Sequence, residues 1–294
     1  MQNDDNDNLP FSQRNGYAEI PPQLKIGVIS DEFLHLLEYV IIKEIDKNTK
    51  FTYPSGEATF SKNLSAFSKD FYVRFLKQRI IRYKASVKDL RHECSSLITR
   101  IMRKDLPILF DFIEFLIKSF TKHDLYTESF KKDLCDVFIE ARAAYRIVDD
   151  KIMAIGTEEQ GKAVKGALDN TEKYGAKAAR SHLIESGVAL RNGNWADSIR
   201  ESIHAVESAA RLLDKNTKSL GDALKKIEKN GNLHGGLKSA FSALYGYTSD
   251  EEGVRHALVY QDTPKVDETD ALFMLGACAS FVSYLLAKNS QNTT

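Results

Sequence analysis

The chain is short of several things, and each shortage removes a class of function. Its three cysteines, Cys94, Cys135 and Cys278, are far apart and lack CxxC or Cys/His spacing. They read as reduced packing residues of a cytoplasmic protein, which argues against a disulfide framework and against structural zinc. No apolar run reaches the roughly 18 residues that a membrane span requires. The longest, Ala271 to Ala287, is interrupted by Gly276, Ser280 and Ser283 and reads as a buried helix, so no membrane partner is expected. The opening MQNDDNDNLP is acidic and amide-rich, the reverse of a secretory or mitochondrial leader. No Walker loop, GxGxxG or HExxH is present, which disfavours P-loop hydrolysis, dinucleotide chemistry and zinc proteolysis and leaves an expectation of no cofactor and no metal. Nor is there an excess of one charge: 41 Lys and Arg face 41 Asp and Glu. With no global positive field, binding to RNA has to rest on a local site, and no preference for DNA is evident.

What is present is the composition of an ordinary globular protein, 43% hydrophobic and 28% charged over 294 residues, enough for two domains. Residues 1–24 lack an apolar period and read as a flexible arm. From Asp31 the pattern turns helical: Phe33, Leu36, Leu37, Val40, Ile41 and Ile45 share a face after a Ser30 cap. KFTYPSGEATF reads as a connection, and further helices are expected over about 64–82, 86–103, 107–121 and 127–144. At YRIVDDKIMAI, Tyr145 to Ile155, the apolar period drops to two around Asp149–Asp150, the mark of a small hairpin. TEEQ at Thr157–Gln160 is a capping box that restarts helix. The rest reads as helices over about 158–173, 175–191, 196–215, 219–230, 234–245, 250–260 and 267–288. The expectation is a mainly α protein with one small β-hairpin near 145–155 and two helical domains, 25–156 and 157–294.

Two features of the second half carry chemistry. In DSIRESIHAVESAARLL, Ile199, Ile203, Val206, Ala210 and Leu213 form a buried seam, and Arg200, His204, Glu207 and Arg211 form a polar stripe at its border. As scaffold, the stripe is a set of ion pairs along a bundle helix. As a site, it places His204 or Glu207 across a groove from Arg255 and His256, adjacent residues about two turns into a helix that starts near Thr248–Ser249. Ser198 and Ser202 read as ordinary helix positions, and Trp195 as a packing residue at a helix start.

The runs DSIRESIHAVES, EEGVRHAL and VDETDALFMLGACASFVSYLL resemble the C-terminal domain of bacterial proteins of the AbiJ abortive-infection group, a domain similar to the HEPN superfamily of helical bundles. FSQRNGY, FDFIEFLI and YRIVDDKIMAI resemble the AbiJ-type N-terminal module. The resemblance implies an HEPN-like bundle over 157–294 that cleaves RNA without metal, as a homodimer in the cytoplasm, in antiviral defence or a toxin–antitoxin pair with a neutralising or regulatory partner. It implies catalysis by Arg255 and His256, supported by Glu207, His204, Arg200 and Arg211. The residue types suit that chemistry. Histidine titrates near working pH and can move the 2′-hydroxyl proton, while the arginine fork stabilises the phosphorane oxygens. In the superfamily the arginine and histidine are usually separated by four to six residues, whereas here they are adjacent. The alternative is a non-catalytic HEPN-like binding and dimerisation module. The helix at 267–288 is rich enough in Leu, Phe and Val to expect a second chain on part of it or of the neighbouring 196–215 helix.

Overall fold

The computed structural model describes residues 11–19, 21–54, 56–101, 105–213, 220–229, 233–249 and 266–290. The first half opens with a one-turn helix α1 (Phe11–Arg14), then α2 (Asp31–Lys47). Ser30 Oγ accepts from the Phe33 N–H at 3.2 Å, and Asp31 and Glu32 complement the positive end of the α2 dipole. The expected apolar face is buried through Phe33, Leu37, Val40, Ile41 and Ile45. It packs on α4 (Val87–Ile101) and α6 (Glu128–Glu140), where the Phe33 and Phe138 rings meet edge-on at 4.9 Å. The end of the expected arm is tied down: the Leu24 N–H donates to the Arg142 carbonyl at 2.9 Å and the Gly27 N–H to Tyr145 Oη at 2.7 Å.

KFTYPSGEATF, read above as a connection, is itself a hairpin. β1 (Thr49–Thr52) pairs antiparallel with β2 (Glu57–Phe60), Thr49 opposite Phe60 and Thr52 opposite Glu57. Only four residues stand on each side, too few for the two-residue period to register. The helix expected over 64–82 is divided. α3 (Lys62–Asp70) runs into a π-helical turn, Phe71–Phe75, whose exit is marked by Lys77 at φ +54°, and a 3₁₀ turn follows at Ile80–Arg82. The π turn aims Phe71 and Phe75 together at Phe112 and Phe115 of α5 (Leu106–Lys122), with ring centroids 5.1–6.2 Å apart. Aromatic packing there outweighs the regular helical hydrogen-bond ladder.

The hairpin expected near 145–155 forms as β3 (Tyr145–Val148) and β4 (Lys151–Ala154), Tyr145 opposite Ala154. Asp149 and Asp150 take positive φ, 47° and 62°, at both turn positions as a type I′ turn demands, and aspartate tolerates that region. The Thr157–Gln160 box caps α7 (Glu158–Lys173) in both directions. Then come α8 (Lys177–Arg191), α9 (Trp195–Leu213), α10 (Leu220–Lys229), α11 (Gly235–Ser249) and α12 (Glu268–Ser290). The structure is thus mainly α with two small antiparallel hairpins.

α9 lies between α8 and α12, α12 also packs on α7, and β4 packs on α8. By length and composition α12 is apolar enough to cross a membrane, but more than half of it is buried within the fold. Its apolar excess is absorbed inside the chain through Met274, Leu275, Phe281, Val282, Leu285 and Leu286, while Phe273 stays 56% exposed. Cys94 and Cys278 are buried and free, and burial pushes the Cys278 thiol up to about 12, so both are packing groups.

Asp70, at the end of α3, joins α3 to α5. It accepts from Lys122 Nζ at 2.6 Å, pairs with His123 Nε2 at 2.9 Å and accepts from Arg74 Nε at 3.0 Å. Burial alone would raise its pKa, but these three partners outweigh it and hold the carboxyl well below the usual range. A depressed carboxylate contributes stability above its unfolded pKa, about 4, and that contribution fades as pH falls through the folded value. Asp70→Asn is therefore expected to cost about 1–3 kcal/mol near neutral pH, measured by urea unfolding. The gap to the wild type should narrow once the pH drops below about 4. A gap independent of pH would show that the cluster is not its source.

Candidate functional site

The site is assembled by α8 and α9. On α9, Ile199, Ile203, Val206, Ala209 and Ala210 face the core, and the polar stripe runs beside them. Arg200 is turned back on its own helix and paired with Asp197. His204 and Glu207 are half-buried and Arg211 is exposed. His204 lies 3.7 Å from Glu201 through Nδ1, an ion-pair distance along the helix. The other Glu201 oxygen accepts from Nδ1 of His182, on α8, at 2.7 Å. The two imidazoles meet edge to face with centroids 5.3 Å apart. Because a carboxylate only accepts, the His182 Nδ1 carries the proton in this contact, leaving Nε2 to exchange protons with a ligand. Arg255 and His256 lie outside the described residues.

Directly beneath, the structure corrects the reading of Ser198 and Ser202. Both are fully buried and meet Ser186 of α8: Ser186 Oγ lies 2.8 Å from the Ser198 carbonyl, 3.1 Å from Ser198 Oγ and 2.7 Å from Ser202 Oγ. Ser202 Oγ reaches the Ser198 carbonyl at 2.9 Å. Three protons running from Ser198 to Ser186, to Ser202 and on to that carbonyl satisfy every hydroxyl, which matters because a buried hydroxyl without a partner costs about 1–3 kcal/mol. The network fixes the register of α8 on α9, and His182 lies one turn from Ser186 on the same side. Behind it, a Cβ on Gly187 would meet Met153 Cβ at 2.7 Å and the Ala154 carbonyl at 2.9 Å, so only glycine lets α8 sit this close to β4. The ends of α8 are tied as well. Arg180 donates two bonds of 2.9 Å to Asp149 at the hairpin turn, holding that carboxyl below its ordinary range. Arg191 pairs with Glu114 of α5 at 2.6 Å.

The donor atoms of His182, Glu201 and His204 all lie within 4.8 Å of one another, so the set has the ligand types of a two-histidine, one-carboxylate metal site. It is equally an acid–base pair sharing one carboxylate. Sequence reasoning found His204 and missed its two neighbours. The Glu201-x-x-His204 spacing was available as a signal, since i,i+3 puts both on one helix face, but His182 belongs to another helix.

In class, then, this is a mainly α protein carrying a half-buried His–Glu–His cluster between two bundle helices. The family model for AbiJ N-terminal domain 4 matches residues 9–170, more than half of the chain, and the protein belongs to that abortive-infection-related family. The match takes in α1–α6, both hairpins and most of α7; the cluster lies beyond it. No curated protein and no solved structure matches the chain.

The seating of α8 can be tested directly. Gly187→Ala forces the hairpin or the helix to shift and should cost about 1–3 kcal/mol as overpacking. It should lower the urea midpoint with an unchanged slope. An unchanged midpoint would mean that β4 and α8 are not in contact.

Proposed function

We propose that this protein is a metal-independent endoribonuclease of abortive-infection defence. An AbiJ-type module over 25–156 senses or recruits, and an HEPN-like bundle over 157–294 cuts RNA in the cytoplasm to leave a 2′,3′-cyclic phosphate. The observation that carries the reading is the pair of imidazoles 5.3 Å apart on a half-buried surface, both directed at Glu201. Two histidines at that separation can serve opposite ends of a phosphodiester. One takes the 2′-hydroxyl proton and the other protonates the departing oxygen. Glu201 orients them, as a carboxylate does for a catalytic imidazole elsewhere. In this reading Arg255 and His256 act at the phosphate, with Glu207, Arg200 and Arg211 in support. Family membership supports the defence role.

The test is cleavage of RNA by the full chain in EDTA, beside His182→Ala, His204→Ala, Arg255→Ala and His256→Ala. Loss of a proton-transfer or charge-stabilising group is expected to slow cleavage by about 10²–10⁴-fold with unchanged melting. Cleavage abolished by EDTA and restored by Zn²⁺ would overturn the metal-independent mechanism in favour of metal held by His182, Glu201 and His204. Absence of cleavage would favour a binding module, a reading that the closure of Arg200 on Asp197 supports.

The second element of the proposal is a two-fold homodimer seated on the Phe273 side of α12, where a large apolar group remains in water. Sedimentation equilibrium at micromolar concentration is expected to give a dimer that Phe273→Glu dissociates. A wild-type monomer would remove the composite cleft from the mechanism.

A further inference from the structure

The segment FYVRFLKQRIIRYKASVK, Phe71 to Lys88, holds six of the chain's 41 cationic residues and none of its 41 carboxylates. The remainder of the chain therefore carries 35 cations against 41 carboxylates, a net charge of −6. A polyanion is repelled on average by that remainder and attracted here. All six cations, Arg74, Lys77, Arg79, Arg82, Lys84 and Lys88, are exposed. Arg74 is held by Asp70, while among the described residues no carboxylate pairs with the other five.

Their placement is unfavourable for stability alone. Lys84 and Lys88 flank the N-terminus of α4, where the helix dipole opposes positive charge and favours an anion. Ile80 and Ile81 stand beside them 57% and 82% exposed. Yet the segment is firmly seated. Phe71 and Phe75 pack with tilted rings against α5, Val87 is buried, Tyr83 Oη donates to Ser68 Oγ at 3.1 Å, and the π and 3₁₀ turns bond their own backbone. A rigid base thus presents a cationic, partly apolar ridge to solvent.

We infer that this ridge is a binding site for single-stranded RNA, whose phosphates lie along Lys77, Arg79, Arg82, Lys84 and Lys88 while Ile80 and Ile81 meet base faces. The inference deepens the nuclease reading and rests on it for RNA as the natural ligand. Arginine forks suit phosphate oxygens, and an exposed segment of irregular turns suits a flexible strand better than a duplex groove. A bilayer is the poorer occupant, since two isoleucines on one 3₁₀ turn do not make the amphipathic helix that interfacial binding uses.

The probe is a fluorescein-labelled 2′-O-methyl oligoribonucleotide of about 12 residues, a length within the span of single-strand sites. Lacking the attacking hydroxyl, it reports binding even where RNA would be cut. Binding of the tag-free full chain, followed by anisotropy, should weaken with salt at a log–log slope of roughly −0.7 per phosphate contact, about −3.5 for the five cations. Arg79→Gln/Arg82→Gln should flatten the slope by about 1.4, and Lys77→Gln/Lys84→Gln similarly. The charge-matched control Lys162→Gln/Lys165→Gln on α7 should leave it unchanged. Equal slopes for ridge and control variants, or binding to phosphatidylserine vesicles without binding to the oligonucleotide, would overturn the assignment. Cleavage of a dinucleotide, too short to span the ridge, should be unaffected by the ridge substitutions. A wild type that binds the oligonucleotide through the ridge but cleaves nothing would leave the ridge standing and remove the nuclease reading.

Discussion

The seating of α8 governs the arrangement of everything near the cluster. Its neighbouring residues Ser186 and Gly187 point about 100° apart, so one helix meets α9 through a hydroxyl and the β3–β4 hairpin through bare backbone. Both contacts depend on small side chains, because a larger group at either position would push one neighbour away. Arg180 and Arg191 then anchor the two ends of the helix to the hairpin turn and to α5. With its position set in the middle and at both ends, α8 has little freedom to rotate, and His182 is delivered to Glu201.

Burial is graded across this contact in a way that suits chemistry. The three serines have no water contact and bond only to one another and to backbone. One turn away, His182, Glu201 and His204 keep 34%, 24% and 40% of their side-chain surface. A dry hydrogen-bonded layer gives the cluster a rigid floor, and the partial exposure above it leaves room for a ligand. Were the order reversed, polar groups would be buried without partners and the exposed serines would hold nothing in place.

Most of the architecture was legible because its signals are local. Ser30 and the Thr157–Gln160 box mark helix starts that the structure caps as expected, and the drop to a two-residue period finds β3–β4. What escaped was set by partners distant in sequence. The break after Asp70 answers to phenylalanines on α5, and β1–β2 is too short to show a period. The site was half legible for the same reason. His204 and its stripe are readable on one helix, whereas His182 and Ser186 acquire meaning only when α8 is laid against α9. Arg255 and His256 remain a statement about sequence, since they fall outside the described residues.

The distribution of charge bears on the division of work proposed for the two halves. α5 touches the cationic ridge through Phe112 and Phe115 and touches α8 through Glu114 and Arg191, so a single helix separates the ridge from the helix that carries His182. Were the cluster the cleavage position, as proposed, strong attraction there would hold product as firmly as substrate. In the nuclease reading, unpaired cations on the ridge and an Arg200 already paired beside the cluster would separate capture of the strand from handling of the bond to be cut. Binding strength would then come from phosphates remote from the reacting one, where it does not slow release, and the proposed role of the histidines would be confined to the bond they face.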